Sequence, residues 1–287
     1  MTLICAALAV AAAAQNYGET VALRLWDNSS APHSNGLDGT SLNSVAELFV
    51  YAPDAGKRTD MAVVICPGGG YQHLSMENEG SKVAQWLAAN GITAAVLKYR
   101  MPAGHPEVPL EDAVQALRIM RGETADAATA QKMKGLTCRR VGVAGFSAGG
   151  HLAAYLSTMG ASRPDFTILF YPVITGETGR CHAGSFDNLL GRDRTAQLTA
   201  AYSLENRVDA ATPPAIILVS DDDRGVPPVS STRYYEALKE HGTPASLHIY
   251  PAGGHGWGMR ETFPWRDEWR AAVLDWLVRL PANDNSK

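Results

Sequence analysis

Val141–Gly142–Val143–Ala144–Gly145–Phe146–Ser147–Ala148–Gly149–Gly150–His151–Leu152 is the stretch that decides the fold. Val141–Ala144 is a short apolar run with the character of a buried strand, and Gly150–Thr158 has helical character. Between them lies Gly145–Phe146–Ser147–Ala148–Gly149, a G-x-S-x-G pattern. A serine at a strand-to-helix turn is pushed out of the chain on a sharp bend, and flanking glycines leave room for the crowded backbone. The following helix also aims its first N–H groups at the same point, where they favour negative charge. Ser147 is therefore the candidate nucleophile.

Outward from this turn, strand-like and helix-like segments alternate, which predicts an α/β fold with a mostly parallel sheet. Val21–Trp26, Glu47–Tyr51, Ala62–Cys66 and Ile92–Leu97 read as strands before the serine, and Thr167–Tyr171, Ile216–Val219 and Leu247–Tyr250 as strands after it. Ala62–Cys66 is apolar throughout, as expected of a strand covered on both faces. Gly80–Asn90 has helical periodicity and stops at Gly91, and a second helix is placed with Pro109 at its first position and Glu111 and Asp112 in its first turn. The stretch from about Thr175 to Ala211 reads as an irregular cap segment. In the closing helix Trp265, Trp269 and Trp276 recur at four and seven and are expected to face the core.

Composition excludes several classes. The 287 residues are 46% hydrophobic and 19% charged, too apolar for a disordered chain and long enough to bury a large core. The net charge is −4 with Lys and Arg scattered, so no basic stripe is available for nucleic acid. Leu3–Ala14 is an alanine-rich apolar run, too short to span a bilayer and shaped like the core of a secretory signal, which predicts a signal peptide over residues 1–14 and a catalytic domain over 15–287. Of the four cysteines, Cys5 falls in that signal and Cys66 ends a strand, which leaves a Cys138–Cys181 disulfide open.

A serine hydroxyl attacks only when a base takes its proton and a third group orients that base. Among eight histidines, His255 is the best candidate, because Gly253–Gly254–His255–Gly256–Trp257–Gly258 follows the last strand as a glycine-rich loop. His151 is the alternative, read as a satisfied histidine packed beneath the serine turn. His248 alternates within a strand and reads as structural. His33, His73, His105, His182 and His241 read mostly as solvated, with His182 in the cap the least settled. The acid is expected after the strand preceding that of His255, where Asp221–Asp222–Asp223 stands. An extended exit would turn Asp221 and Asp223 one way and Asp222 the other. An acidic triplet also suits a metal, but no His or Glu partner stands at ligand spacing. Pro67–Gly68–Gly69–Gly70–Tyr71 follows the third strand and offers the N–H groups of Gly69 and Gly70, with that of Ala148, as an oxyanion hole. It lacks the glycine spacing of a nucleotide loop.

In this order the constellation resembles the α/β-hydrolase superfamily, and within it the bacterial acetyl esterases related to acetyl xylan esterases and bifunctional deacetylase/feruloyl esterases. The resemblance rests on Val64–Ile65–Cys66–Pro67–Gly68–Gly69–Gly70–Tyr71, Leu97–Lys98–Tyr99–Arg100, Ala144–Leu152, Asp222–Asp223 before Val226–Pro227–Pro228, and His248–Ile249–Tyr250–Pro251 before Gly254–Gly258. It selects Asp223 as the acid, three residues before a Val-Pro pair. Pro67 departs from the histidine common in the oxyanion loop of lipases and esterases, and Ser230 from a frequent asparagine. The resemblance implies an α/β-hydrolase fold with a short cap and a serine carboxylesterase that needs no cofactor or metal. Its expected substrate is a small ester or an acylated oligosaccharide such as acetylated xylan; the expected location, the periplasm or cell exterior, follows from the signal segment instead. A feruloyl esterase is the alternative. A prolyl-oligopeptidase-type peptidase would need an additional propeller domain, and a non-catalytic module would be expected to lose part of the triad. Tyr71, Trp257 and the cap are expected to line the acyl pocket, and the cap's polar character points to short acyl groups.

Overall fold

The computed structural model describes residues 19–26, 31–37, 42–124 and 126–281, and the signal peptide expected over residues 1–14 lies outside them. Eight strands form one sheet: β1 (Val21–Arg24), β2 (Glu47–Tyr51), β3 (Met61–Cys66), β4 (Thr93–Lys98), β5 (Arg140–Phe146), β6 (Thr167–Phe170), β7 (Ala215–Ser220) and β8 (Ala245–Tyr250), in the order β1-β2-β4-β3-β5-β6-β7-β8. The pairs β1–β2 and β2–β4 are antiparallel, and every pair from β4 across to β8 is parallel. This is the α/β architecture expected from the alternation.

Strands β3, β5, β6 and β7 are almost wholly buried because helices cover both faces. One face packs on α1 (Lys82–Ala89) and α8 (Arg266–Arg279) through Val83, Trp86, Leu87, Trp269 and Val273. The other packs on α2 (Glu107–Arg121), α4 (Ala148–Met159) and α7 (Val229–Glu240) through Ala116, Leu117, Leu152, Tyr234 and Leu238. Parallel strands place all their C-terminal ends on one edge, so the loops after β3, β5, β7 and β8 meet there.

Several boundaries differ from the sequence reading. Helix α2 begins at Glu107, and Pro109 is its third residue; an amide lost in the first turn costs no helical bond, so the proline is tolerated there. Helix α1 is preceded by a wider turn over Glu77–Ser81, closed by a bond from Ser81 N to Met76 O of 2.8 Å. The inward face of α7 opens with Ser230 and Ser231, which hid its periodicity. The short α3 (Ala127–Lys132) is started by Asp126, whose side chain accepts the Thr129 N–H. The cap is not irregular: it holds α5 (Ala183–Leu190), α6 (Ala196–Ala201) and a 3-10 turn over Leu204–Arg207. Both helices are brief and start at side-chain caps, His182 and Thr195. Of the closing-helix tryptophans, Trp269 is fully buried while Trp265 and Trp276 pack on the same cluster from its margin. Cys138 and Cys181 are free thiols, the first just before β5 and the second beside the cap helix, at opposite edges of the sheet.

Candidate active site

Ser147 sits on the turn between β5 and α4 with φ 53° and ψ −118°, a strained conformation for a residue bearing a side chain. The bend is clamped from both sides: Ser147 N–H donates to Phe170 O at 3.0 Å, and Val173 N–H donates to Ser147 O at 3.0 Å. A Cβ added at Gly149 would lie 2.1 Å from Cys66 O, so only glycine lets α4 start this close to β3. The turn directs Ser147 Oγ to His255 Nε2 at 2.7 Å.

His255 is carried by the loop after β8, and its side chain keeps 27% exposure. Its Nδ1 lies 2.7 Å from Asp223 Oδ2, and the other carboxylate oxygen accepts the N–H groups of Gly225 and Val226, each at 2.9 Å. The Asp223 side chain is fully buried. An acceptor-only carboxylate fixes the imidazole proton on Nδ1, which leaves Nε2 free to take a proton from the serine. The chain turns directly after Ser220, with Asp223 N–H bonded to Ser220 O, so the expected extended exit is absent. Asp221 is exposed, and Asp222 holds the histidine loop by accepting the Gly254 N–H at 2.8 Å.

The loop after β3 closes the other side. Among the described residues, no acceptor takes the N–H groups of Gly69, Gly70 or Ala148. Three groups brace this loop: Tyr99 donates its hydroxyl proton to Pro67 O at 2.8 Å, the Asn188 side chain donates to Gly70 O at 2.8 Å, and Glu79 accepts the Gly68 N–H at 2.9 Å. Three preset donors beside an activated hydroxyl can hold the negative oxygen of a tetrahedral adduct.

His151 is wholly buried. Its Nε2–H donates to Tyr202 O at 2.9 Å and its Nδ1 accepts the Tyr71 hydroxyl at 3.0 Å, and burial pushes its pKa down to about 4. It is a packing residue beneath the serine turn, as read from the sequence. His182 is placed differently from a solvated loop residue. Its Nδ1 accepts the Ser185 N–H and hydroxyl, leaving the proton on Nε2, and its ring stands 3.8 Å from where a Gly70 Cβ would lie. Burial first, and then the field of His255, lower its pKa. Trp257 does not line a pocket: it is 1% exposed, stacked on Phe263 at 4.2 Å, with its indole N–H on Ser220 Oγ. Tyr71 bounds a hollow of about 380 Å³ that shares Asp187 and Arg192 with a polar cavity of about 680 Å³ in the cap. Neither wall includes Ser147 or His255.

Sequence reasoning missed Glu79 and misplaced Asp112, which it set in the first turn of α2. Asp112 is buried rather than dipole-facing, and it grips Arg100 through Nε and Nη2 while accepting the Trp26 indole N–H at 2.6 Å. Glu79 is buried behind the oxyanion loop. Glu79 lies among polar neighbours with no apolar periodicity to mark it, whereas Asp112 falls on the apolar face of α2 between Val108 and Ala116, where its letter alone suggests a solvated acid. Among the described residues no group of three or more His, Cys, Asp or Glu side chains is placed to hold a metal ion, and no helix is long and apolar enough to cross a membrane.

A serine–histidine–aspartate chain at the C-terminal edge of such a sheet is the arrangement of a hydrolase. Residues 63–259 match the family model described as alpha/beta hydrolase fold, and the chain belongs to that family. It is 39% identical over 243 residues to an acetylxylan esterase of Xylanibacter ruminicola, a match covering 83% of this chain and 49% of that protein. It is 33% identical over 234 residues to endo-1,4-beta-xylanase B of Butyrivibrio fibrisolvens, covering 75% of this chain and 35% of that one. The chain thus spans about half the length of the first relative and about a third of the second. Among solved structures, the acetyl ester-xyloside bifunctional hydrolase of Caldicellulosiruptor lactoaceticus superposes with a TM-score of 0.78 at 34% identity, covering 91% of this chain and 96% of that one.

Proposed function

We propose that the protein is a serine carboxylesterase that removes acetyl groups from xylan or its oligosaccharides. Ser147 Oγ attacks the ester carbonyl while His255 Nε2 takes its proton, and Asp223 holds the imidazole in the required tautomer and stabilises the imidazolium. The N–H groups of Gly69, Gly70 and Ala148 receive the oxyanion. His255 then returns the proton to the leaving sugar oxygen, and water hydrolyses the acyl-enzyme by the reverse sequence. The observation that carries this reading is the unbroken Ser147–His255–Asp223 chain, 2.7 Å at each link, beside three unclaimed backbone donors. Likeness to an acetylxylan esterase supplies the substrate class.

A short acyl group suits the surroundings. Each methylene of a longer chain would need about 0.8 kcal/mol worth of apolar burial. The large exposed apolar side chains of the described residues, Leu37, Met159, Leu198, Ile249 and Val278, are scattered over separate elements and form no groove at the site. The polar cap cavity, with Glu177, Asp187, Arg192 and Arg194 in its wall, offers partners for sugar hydroxyls instead. Export, by removal of residues 1–14, is part of the proposal, supported by the apolar run Leu3–Ala14.

The test is a series of p-nitrophenyl esters from acetate to octanoate, run beside acetylated xylan and methyl ferulate. We expect kcat/KM to be highest for acetate, acetate to be released from xylan, and Ser147→Ala to abolish both. Higher kcat/KM on octanoate would overturn the short-acyl reading, and ferulate release without acetate release would move the substrate class to feruloyl esters.

A further inference from the structure

The ester-hydrolase reading leaves one buried acid without a task. Glu79 is 4% exposed and stands on the wide turn before α1, where the additional residue in the turn faces it inward. Such turns are frequent at functional sites. Both of its oxygens meet donors: Oε2 accepts the Gly68 N–H at 2.9 Å, and Oε1 accepts the Tyr171 hydroxyl at 2.8 Å. Tyr171 Oη in turn accepts the Gly258 N–H at 2.9 Å, and the Tyr171 ring lies edge-on to His255 with centroids 4.8 Å apart. The neighbouring Asn78 side chain donates to Gly256 O and Trp257 O, and Asn78 O accepts the Met259 N–H. The single turn thus grips the oxyanion loop on one side and the histidine loop on the other. A Cβ on Gly68 would lie 2.7 Å from Glu79 Oε2 and 2.9 Å from Ser147 Cβ, so only a glycine separates the carboxylate from the serine.

We propose that Glu79 is a positioning residue for the reaction, a buried carboxylate that locks the Gly69–Gly70 donors and His255 into one register around Ser147. This rests on the esterase reading above. Burial raises the Glu79 pKa, while the Tyr171 and Gly68 bonds and the fields of His255 and Arg260 act the other way. Two donors face the carboxylate, the Gly68 N–H and the Tyr171 hydroxyl, and both favour its ionised form.

Glu79→Gln tests the proposal because the site dictates how the amide must sit. Gly68 N–H can only donate, so the amide oxygen has to face it and the NH₂ has to face Tyr171. The Tyr171 oxygen then receives two donors, and its own proton loses its acceptor. The link to Gly258 loosens, and a displacement of about 1 Å at the reacting groups costs on the order of 10² in rate. We expect kcat on p-nitrophenyl acetate to fall about 10²-fold with KM within about threefold. Inhibition by a trifluoromethyl ketone, which forms a tetrahedral adduct with the serine, should weaken in proportion to kcat/KM. Tyr171→Phe keeps the carboxylate and removes only the bridge, so it should show a smaller loss of kcat with the same split. It also carries the test should Glu79→Gln fail to fold.

A merely structural role would lower Tm in both variants and leave kcat per folded molecule and the inhibitor constant unchanged, which would overturn the proposal. The His255 Nδ1 proton, observed by NMR at low field, reads the same register without substrate. We expect it to shift or broaden in both variants, and an unchanged resonance counts against the proposal. A wild-type protein inactive on every ester would refute the esterase reading, and the NMR signal would still decide whether Glu79 positions His255.

Discussion

Asp223→Asn is the substitution that most sharply separates the three acids after β7. In the native site Asp223 Oδ1 accepts two backbone N–H groups, from Gly225 and Val226, and Oδ2 faces His255 Nδ1. Those backbone groups can only donate, so an asparagine must leave its carbonyl oxygen with them and turn its NH₂ toward the imidazole. His255 Nδ1 is then forced to accept, the ring proton moves to Nε2, and the nitrogen facing Ser147 Oγ is no longer a base. A wrong tautomer of this kind costs about 10⁴ in kcat, or about 5 kcal/mol of transition-state stabilisation. Folding should be little affected, because the two backbone bonds survive. Asp222→Asn keeps an acceptor for Gly254, and Asp221 is exposed, so each should stay within about threefold of wild type. The assay is steady-state hydrolysis of p-nitrophenyl acetate at pH 7.5, corrected for active sites by titration with a fluorophosphonate in the two exposed-acid variants. A larger loss in Asp221→Asn or Asp222→Asn than in Asp223→Asn would refute the assignment. So would a loss below tenfold in Asp223→Asn.

Two further outcomes concern stability. Asp112→Ala takes the fully buried partner from a nearly buried Arg100 guanidinium and leaves it only Glu111, at 3.7 Å, as a counter-charge. Breaking such a pair costs about 3–5 kcal/mol, so Tm should drop by roughly 10 °C in calorimetry, and a drop under 2 °C would contradict the buried-pair account. His151 is held neutral, its pKa pushed from an ordinary 6.5 to about 4 by burial. The unfolded chain therefore binds a proton that the folded chain refuses: stability falls as pH drops from about 6.5 and levels off near 4, by up to about 3 kcal/mol. Urea midpoints measured from pH 7 to pH 4.5 should decline less steeply in His151→Gln than in wild type, and parallel declines would exclude this residue as a source.

The parts of the site legible in the sequence were those where one residue type alone satisfies the geometry. The serine turn shows because Gly149 must let Cys66 O approach and Gly145 must do the same for Gly149 O, so the pattern is forced on the chain by contact. The parallel strands show because burial on both faces leaves no polar position to alternate. His255 shows because its glycine-rich loop follows a strand. The residues that escaped are polar side chains whose partners lie far off in sequence: Glu79 with Tyr171, 92 positions away, and Trp26 with Asp112, 86 positions away. A buried carboxylate and a solvated one have the same letter and the same neighbours, and only the fold decides which donors reach it. The triplet Asp221–Asp222–Asp223 makes the point within three residues. Side-chain alternation in an extended chain pairs Asp221 with Asp223, yet the turn at Ser220 exposes the first, sets the second on Gly254 and buries the third against His255. Chemistry at this edge is thus set by loop conformation more than by strand period. The cap follows the same logic: the sequence leaves His182 the least settled of the loop histidines, and the start of α5 on it fixes its proton on Nε2 and brings its ring beside Gly70.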